Sequence, residues 1–160
     1  MAIAALKLFP SCPVEGSNWH ARTADKWGEG SFGAPRAGRL HEGLDLVAPP
    51  GEVIIAPVCG FISRLSRPYG DDGPGDSGFI FQPAGALSGF ELIFWYVEVM
   101  PYATLAVMHQ GAAIGRARDL EARYPGITPH VHFAVRDAFG KPVDPSIWRS
   151  LPAGLMNQVV

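Results

Sequence analysis

Along the 160-residue chain the apolar positions recur mostly every second residue in short runs broken by turn formers, which predicts strands rather than helices. The plainest run is Val131, Phe133 and Val135, alternating with His130, His132 and Ala134. It predicts a half-buried strand with apolar side chains on one face and two imidazoles sharing the other. Upstream, Leu40, Glu42, Leu44 and Leu46 predict one side of an extended strand whose other side carries His41, Gly43 and Asp45. Residues 53–56 and 60–65 read as a hairpin turning on Pro57, Val58 and Cys59. Residues 79–81 and 92–99 predict two further strands, the second the most apolar in the chain and so the core. Residues 119–123 predict one helical turn.

Between these runs the pattern lapses. Residues 11–33 are rich in Gly, Ser and aromatic side chains without periodicity, which predicts an ordered loop with Trp19 and Trp27 as packing anchors. Residues 69–78 form a polar, glycine-broken surface loop, and its Asp71, Asp72 and Asp76 lack the spacing of a calcium loop. Residues 1–10 read as a strand entering the domain and residues 141–148 as a segment closing it. His20 and His109 read as exposed.

Composition then narrows the class. A chain of this length buries one core, so one domain spanning 1–160 is expected, with residues 1–31 packing on it as a strand and loops. Hydrophobic residues at 48% describe a folded protein, and Gly 19 with Pro 15 leave little room for long helices. The expected class is therefore all-β. A formal net charge of −2 leaves no footprint for nucleic acid, and no stretch is long and apolar enough for a membrane span. Without a secretion leader, synthesis in the cytoplasm is expected. Cys12 and Cys59 fit no metal spacing and read as two separate buried thiols.

The chemistry-bearing pattern is His41 and Asp45 on one strand face, flanking a glycine that leaves room for an ion, with a histidine pair far along the chain. Imidazole plus carboxylate suits zinc, and a third ligand from the 130/132 strand would leave one position open to water.

Several stretches carry a family resemblance: Phe32-Gly-Ala-Pro-Arg36, His41-x-Gly-x-Asp45, Ala48-Pro-Pro-Gly51, Ala56-Pro57, Gly60 and His130-x-His132-Phe133. Together they resemble the lysostaphin-type zinc endopeptidases, which cut peptide cross-bridges of bacterial cell walls. Arg67-Pro68-Tyr69 and Tyr124-Pro125-Gly126-Ile127 are more similar to the leukocyte cell-derived chemotaxin branch of that superfamily, which keeps the zinc fold without established peptidase activity. The resemblance implies a mostly antiparallel β-sheet or sandwich with a long groove and one zinc ion on its floor. It implies His41, Asp45 and His132 as ligands, and His130 as the partner of the attacking water. Where peptidases of the family carry Tyr-x-His-Leu, this chain has Tyr96-Val97-Glu98-Val99, so Glu98 stands at a catalytic histidine's position. Alternation places Glu98 beside Tyr96 on one strand face. Ala134 also replaces a common glutamate. Two expectations follow. One is a zinc endopeptidase acting on peptidoglycan peptides, reaching the wall through lysis or as part of a virion or injection assembly. The other is a non-catalytic zinc domain that serves recognition or structure within a larger assembly.

Overall fold

A computed structural model describes residues 12–15 and 19–146. Eleven short strands dominate it: β1 (Pro35–Arg36), β2 (Arg39–Leu40), β3 (Leu44–Val47), β4 (Val53–Ile55), β5 (Gly60–Leu65), β6 (Gly78–Pro83), β7 (Glu91–Trp95), β8 (Val97–Val99), β9 (Ala113–Ala117), β10 (His130–Arg136) and β11 (Pro142–Val143). Every pairing is antiparallel. Among the described residues there is no α-helix, and 3-10 turns lie at Gly85–Leu87 and Pro101–Thr104. None is long and apolar enough to cross a membrane.

The larger sheet runs β11-β10-β7-β6-β5, with β3 also paired to β10. A three-stranded sheet, β4-β9-β8, packs across its inner face, and β1 with β2 forms a separate hairpin. The inner face carries Phe79, Phe81, Leu92, Phe94, Val131 and Phe133, all fully buried. Phe94 lies 4.8 Å from Phe79 and 5.0 Å from Phe133 between ring centroids, which ties β6, β7 and β10 into one core. Each such side chain contributes about 1.5–3 kcal/mol by leaving water. The opposite face of the same strands carries Ile80, Ile93 and Ala134 in a small second cluster against Trp95.

Alternation along β10 is thus borne out, and the 130–136 strand lies where its pattern places it. Three strand expectations are corrected. Residues 53–65 do not form a hairpin: β4 pairs with β9 and β5 with β6, so the chain crosses between sheets through residues 56–59. Residues 40–46 do not form one strand, because residues 41–43 separate β2 from β3. Residues 92–99 are broken at Tyr96, which adopts a left-handed backbone with φ 65°. That one residue takes the chain from the large sheet to the small one, its amide donating to Ser77 O at 2.7 Å and its carbonyl accepting from Arg118 N at 2.8 Å. A non-glycine residue held this way costs about 1–3 kcal/mol, which its surroundings must offset.

Smaller expectations divide. Leu120 O accepts from Tyr124 N at 2.8 Å, closing the single turn expected after Asp119. The acidic loop is organised by buried Asp76, whose carboxylate accepts from the amides of Tyr69, Gly70, Asp71 and Asp72. Trp19 is buried in the core, whereas Trp27 is 40% exposed and anchors no core. Both cysteines are free and neither is buried: Cys12 is partly exposed and Cys59 exposed. The N-terminal strand expected over 1–10, and the closing segment beyond residue 146, lie outside the described residues.

Candidate metal centre and its cleft

Pairing of β3 with β10 sets Asp45 directly opposite His132, and residues on one face of such a pair meet. His41 reaches the same point from the turn ahead of β3. His132 Nδ1 lies 3.0 Å from Asp45 Oδ1 and 3.1 Å from His41 Nε2, and His41 Nε2 lies 3.2 Å from Asp45 Oδ1. The donor atoms make a nearly equilateral triangle. Tetrahedral bonds of about 2.0–2.2 Å need donor separations of about 3.3–3.5 Å, so a small relaxation admits zinc. All three side chains are buried.

The donor set itself calls for a cation. His41 Nδ1 sits 2.8 Å from Ser31 O and donates its proton there, so Nε2 presents a lone pair. That lone pair faces a carboxylate oxygen, two acceptors with too few protons between them. Burial pushes Asp45 upward, yet the neighbouring imidazoles of His132, His41 and His130 hold it well below the usual carboxylate range. Burial pushes His130 and His132 down, which keeps both imidazoles neutral near pH 7. Neutral imidazole and ionised carboxylate are the ligand forms of these residues.

Gly43 does not leave room for an ion, as the pattern suggested. A Cβ there would meet His132 Cε1 at 2.5 Å and Nε2 at 2.7 Å, so the glycine makes room for the ligand ring. Trp95 closes the other side, stacked on His132 at 4.8 Å and 17°. The histidine face of β10 is a buried floor, with His130 2% and His132 7% exposed.

His130 stands beside the triangle without joining it. Its Nδ1 donates to Thr128 O at 2.7 Å, leaving Nε2 as an acceptor 3.8 Å from Asp45 Oδ2. Behind both groups runs a ring of contacts absent from the sequence reading. Arg22 Nε donates to Asp45 Oδ2 at 3.0 Å, and Arg22 Nη1 pairs with Asp25 Oδ1 at 3.0 Å. Asp25 Oδ2 accepts from Thr128 N at 3.0 Å, and Thr128 O holds His130. Arg22 thereby positions a ligand and the neighbouring imidazole together. Nothing in its aperiodic surroundings marks it in advance.

The cleft above has a volume of about 410 Å³. Its far wall is Tyr69, Tyr96 and Tyr124, with Trp27 beside Tyr124 at 5.1 Å. Tyr124 donates its hydroxyl proton to Tyr69, and the Tyr69 and Tyr96 hydroxyls meet at 2.6 Å. Burial pushes Tyr96 up to about 12 and Tyr69 further, so both stay protonated. Arg123 lies 4.0 Å over the Tyr69 ring and pairs with Asp71, bracing that wall. Tyr69 and Tyr124 sit in the two stretches already singled out for their family resemblance.

Glu98 lies elsewhere. The break at Tyr96 corrects the expectation that the two share one strand face: Tyr96 sets its ring edge-on to His130 at 5.3 Å, while Glu98 is exposed and pairs with Arg118 at 3.1 Å. Glu98 lines a different cavity, with Arg116 and Asp119, and has no contact with the histidines.

Antiparallel sheets around a buried His-Asp-His group define a lysostaphin-type peptidase fold. The catalytic domain of lysostaphin from Staphylococcus simulans superposes with a TM-score of 0.55 at 16% identity, over 78% of this chain and 90% of that one. A zinc-containing peptidase from Vibrio cholerae gives 0.57 at 18%, over 85% of this chain and 38% of that one. By sequence the chain is 31% identical over 121 residues to leukocyte cell-derived chemotaxin-2 of Mus musculus, covering 76% of each. It belongs to the leukocyte cell-derived chemotaxin-2 family. No protein-family model matches the chain.

Proposed function

We propose that the protein is a zinc-dependent endopeptidase acting on peptidoglycan cross-bridge peptides. The observation that carries this reading is His130: an unliganded imidazole beside the metal triangle, its Nδ1 tied to Thr128 and its Nε2 free. A purely structural metal site needs no such neighbour.

His41, Asp45 and His132 would hold the ion. Bound there, zinc supplies Lewis acidity, polarising a carbonyl and making water acidic enough to ionise near neutral pH. His130 Nε2 takes the proton of the attacking water and returns it to the departing amine, work that an imidazole kept neutral by burial can do. With Tyr124 donating to Tyr69, Tyr69 can donate onward to Tyr96, and in that arrangement the Tyr96 hydroxyl would keep its proton for the cleft. It is a donor for the oxygen that gains charge. Glu98 takes no part in these steps.

A second reading, a non-catalytic zinc domain used for recognition, draws on the family membership, because the chemotaxin-2 relatives share sequence over most of this chain. Purified sacculi incubated with the zinc-loaded protein decide between them. Release of new peptide amino groups, blocked by chelation and by His130→Ala, is the expected result. No release from any wall type, with zinc bound at one ion per chain, overturns the peptidase reading in favour of the second.

A further inference from the structure

The β1–β2 hairpin at the cleft mouth pairs Arg36 directly with Arg39. Like charges directly opposite on an antiparallel pair repel, so a hairpin this short gains nothing in stability from them. Both arginines line the cleft. Arg36 is partly engaged, donating to Glu29 O at 2.5 Å and lying 3.5 Å from Asp45 Oδ2. Among the described residues Arg39 has no carboxylate within ion-pair distance, and it is exposed. Among the described residues the one carboxylate lining the cleft, Asp45, is already shared by Arg22 and the histidines. A small hollow of about 30 Å³ continues past Arg39, bounded by Trp95, His132 and Arg136. Its acid, Glu42, is held by Arg136 at 3.6 Å. The groove is therefore polarised, aromatic at the tyrosine end and cationic at the hairpin end, with the metal triangle between.

We infer that Arg39, with Arg36 beside it, forms a subsite for a free carboxylate on the peptide bound in the cleft. Guanidinium forks match a carboxylate with two parallel hydrogen bonds, and a charge-assisted pair of this kind discriminates strongly against an amide. This inference rests on the proposed peptide-binding role of the cleft, and it names the substrate class: a peptide with an unblocked carboxylate, not a neutral bridge.

The test uses the zinc-loaded full chain and two probes, acetyl-Ala-Ala-Ala with a free carboxylate and the same peptide amidated, with binding followed by calorimetry. The acid is expected to bind at least about tenfold more tightly than the amide, and Arg39→Gln to reduce that preference to about twofold or less. Equal binding of acid and amide overturns the subsite. So does a preference that persists in Arg39→Gln, because the carboxylate is then held by the metal. Inorganic phosphate displacing the acid peptide at equal concentration also overturns it, making the hairpin a general oxyanion site. Binding is read separately from hydrolysis. An Arg39-dependent preference without wall cleavage leaves the subsite standing and the peptidase reading fallen; cleavage with no preference does the reverse.

Discussion

The two walls of the cleft are built differently. The floor, with Asp45, His130 and His132, stands on β3 and β10, paired strands whose other face is the phenylalanine core. The facing wall of Tyr69, Tyr124 and Trp27 stands on loops, braced by Arg123 and by the Asp76 carboxylate. Strand geometry sets the floor through register, whereas the far wall depends on side chains bonding one another. The floor holds its groups against the electrostatic cost of burial; the wall meets solvent and is free to match a ligand.

The largest expected effect falls on the floor. His132→Ala removes a ligand and leaves a hollow against Gly43 and Trp95, so metal and stability should fall together. Excess zinc at about a hundred times its dissociation constant stabilises a fold by about 2.7 kcal/mol. Chelation of the parent should then lower Tm by roughly 5–10 °C at this size, and the variant should show no chelator response. His130→Ala comes next: zinc content and Tm should hold while hydrolysis falls by about 10²–10⁴. If metal analysis shows both variants losing zinc alike, His130 is a ligand and the division of labour is wrong.

Arg22 tests the contacts behind the floor. Arg22→Gln leaves Asp25 without its cation and Asp45 with only the longer contact from Arg36 at 3.5 Å, and removing one partner of a buried pair costs about 3–5 kcal/mol. Zinc affinity should also drop by about 10–100-fold, measured by competition with a chromogenic chelator. Unchanged affinity would mean that the histidines alone position Asp45. The smallest effect belongs to Glu98: with its carboxylate on Arg118, Glu98→His should change hydrolysis and zinc content by less than about twofold, in line with a surface pair worth 0–1 kcal/mol. A tenfold gain in hydrolysis would place residue 98 in the reaction after all.

These contrasts follow what the chain discloses. Period-two alternation exposed β10, whose register sets His132 opposite Asp45; His41 and Asp45 stood out as a metal-suited pair, although His41 reaches the site from the turn ahead of β3 and not along one strand. The step between sheets at residues 56–59 and the break at Tyr96 were hidden, since apolar residues continue through both and nothing in 92–99 signals a positive φ. That single torsion moves Glu98 out of the cleft and Tyr96 into it. Arg22 escaped because its role comes from partners far apart in sequence or set by loop geometry, which no local pattern encodes. Cys59 looked apolar by type, yet it is the exposed residue of an otherwise buried crossing between sheets.

The position of β10 has a consequence for hydrogen exchange. At His132 and Phe133 the strand is paired on both flanks, with Asp45 and Leu44 on one side and Trp95 and Phe94 on the other. Amides so enclosed exchange only when the whole domain opens, while those of the 121–128 segment are free to exchange through local opening. The two sides of one cleft then keep separate clocks, and a bound peptide that slows exchange in 121–128 while leaving β10 unchanged would reveal which side yields to admit it.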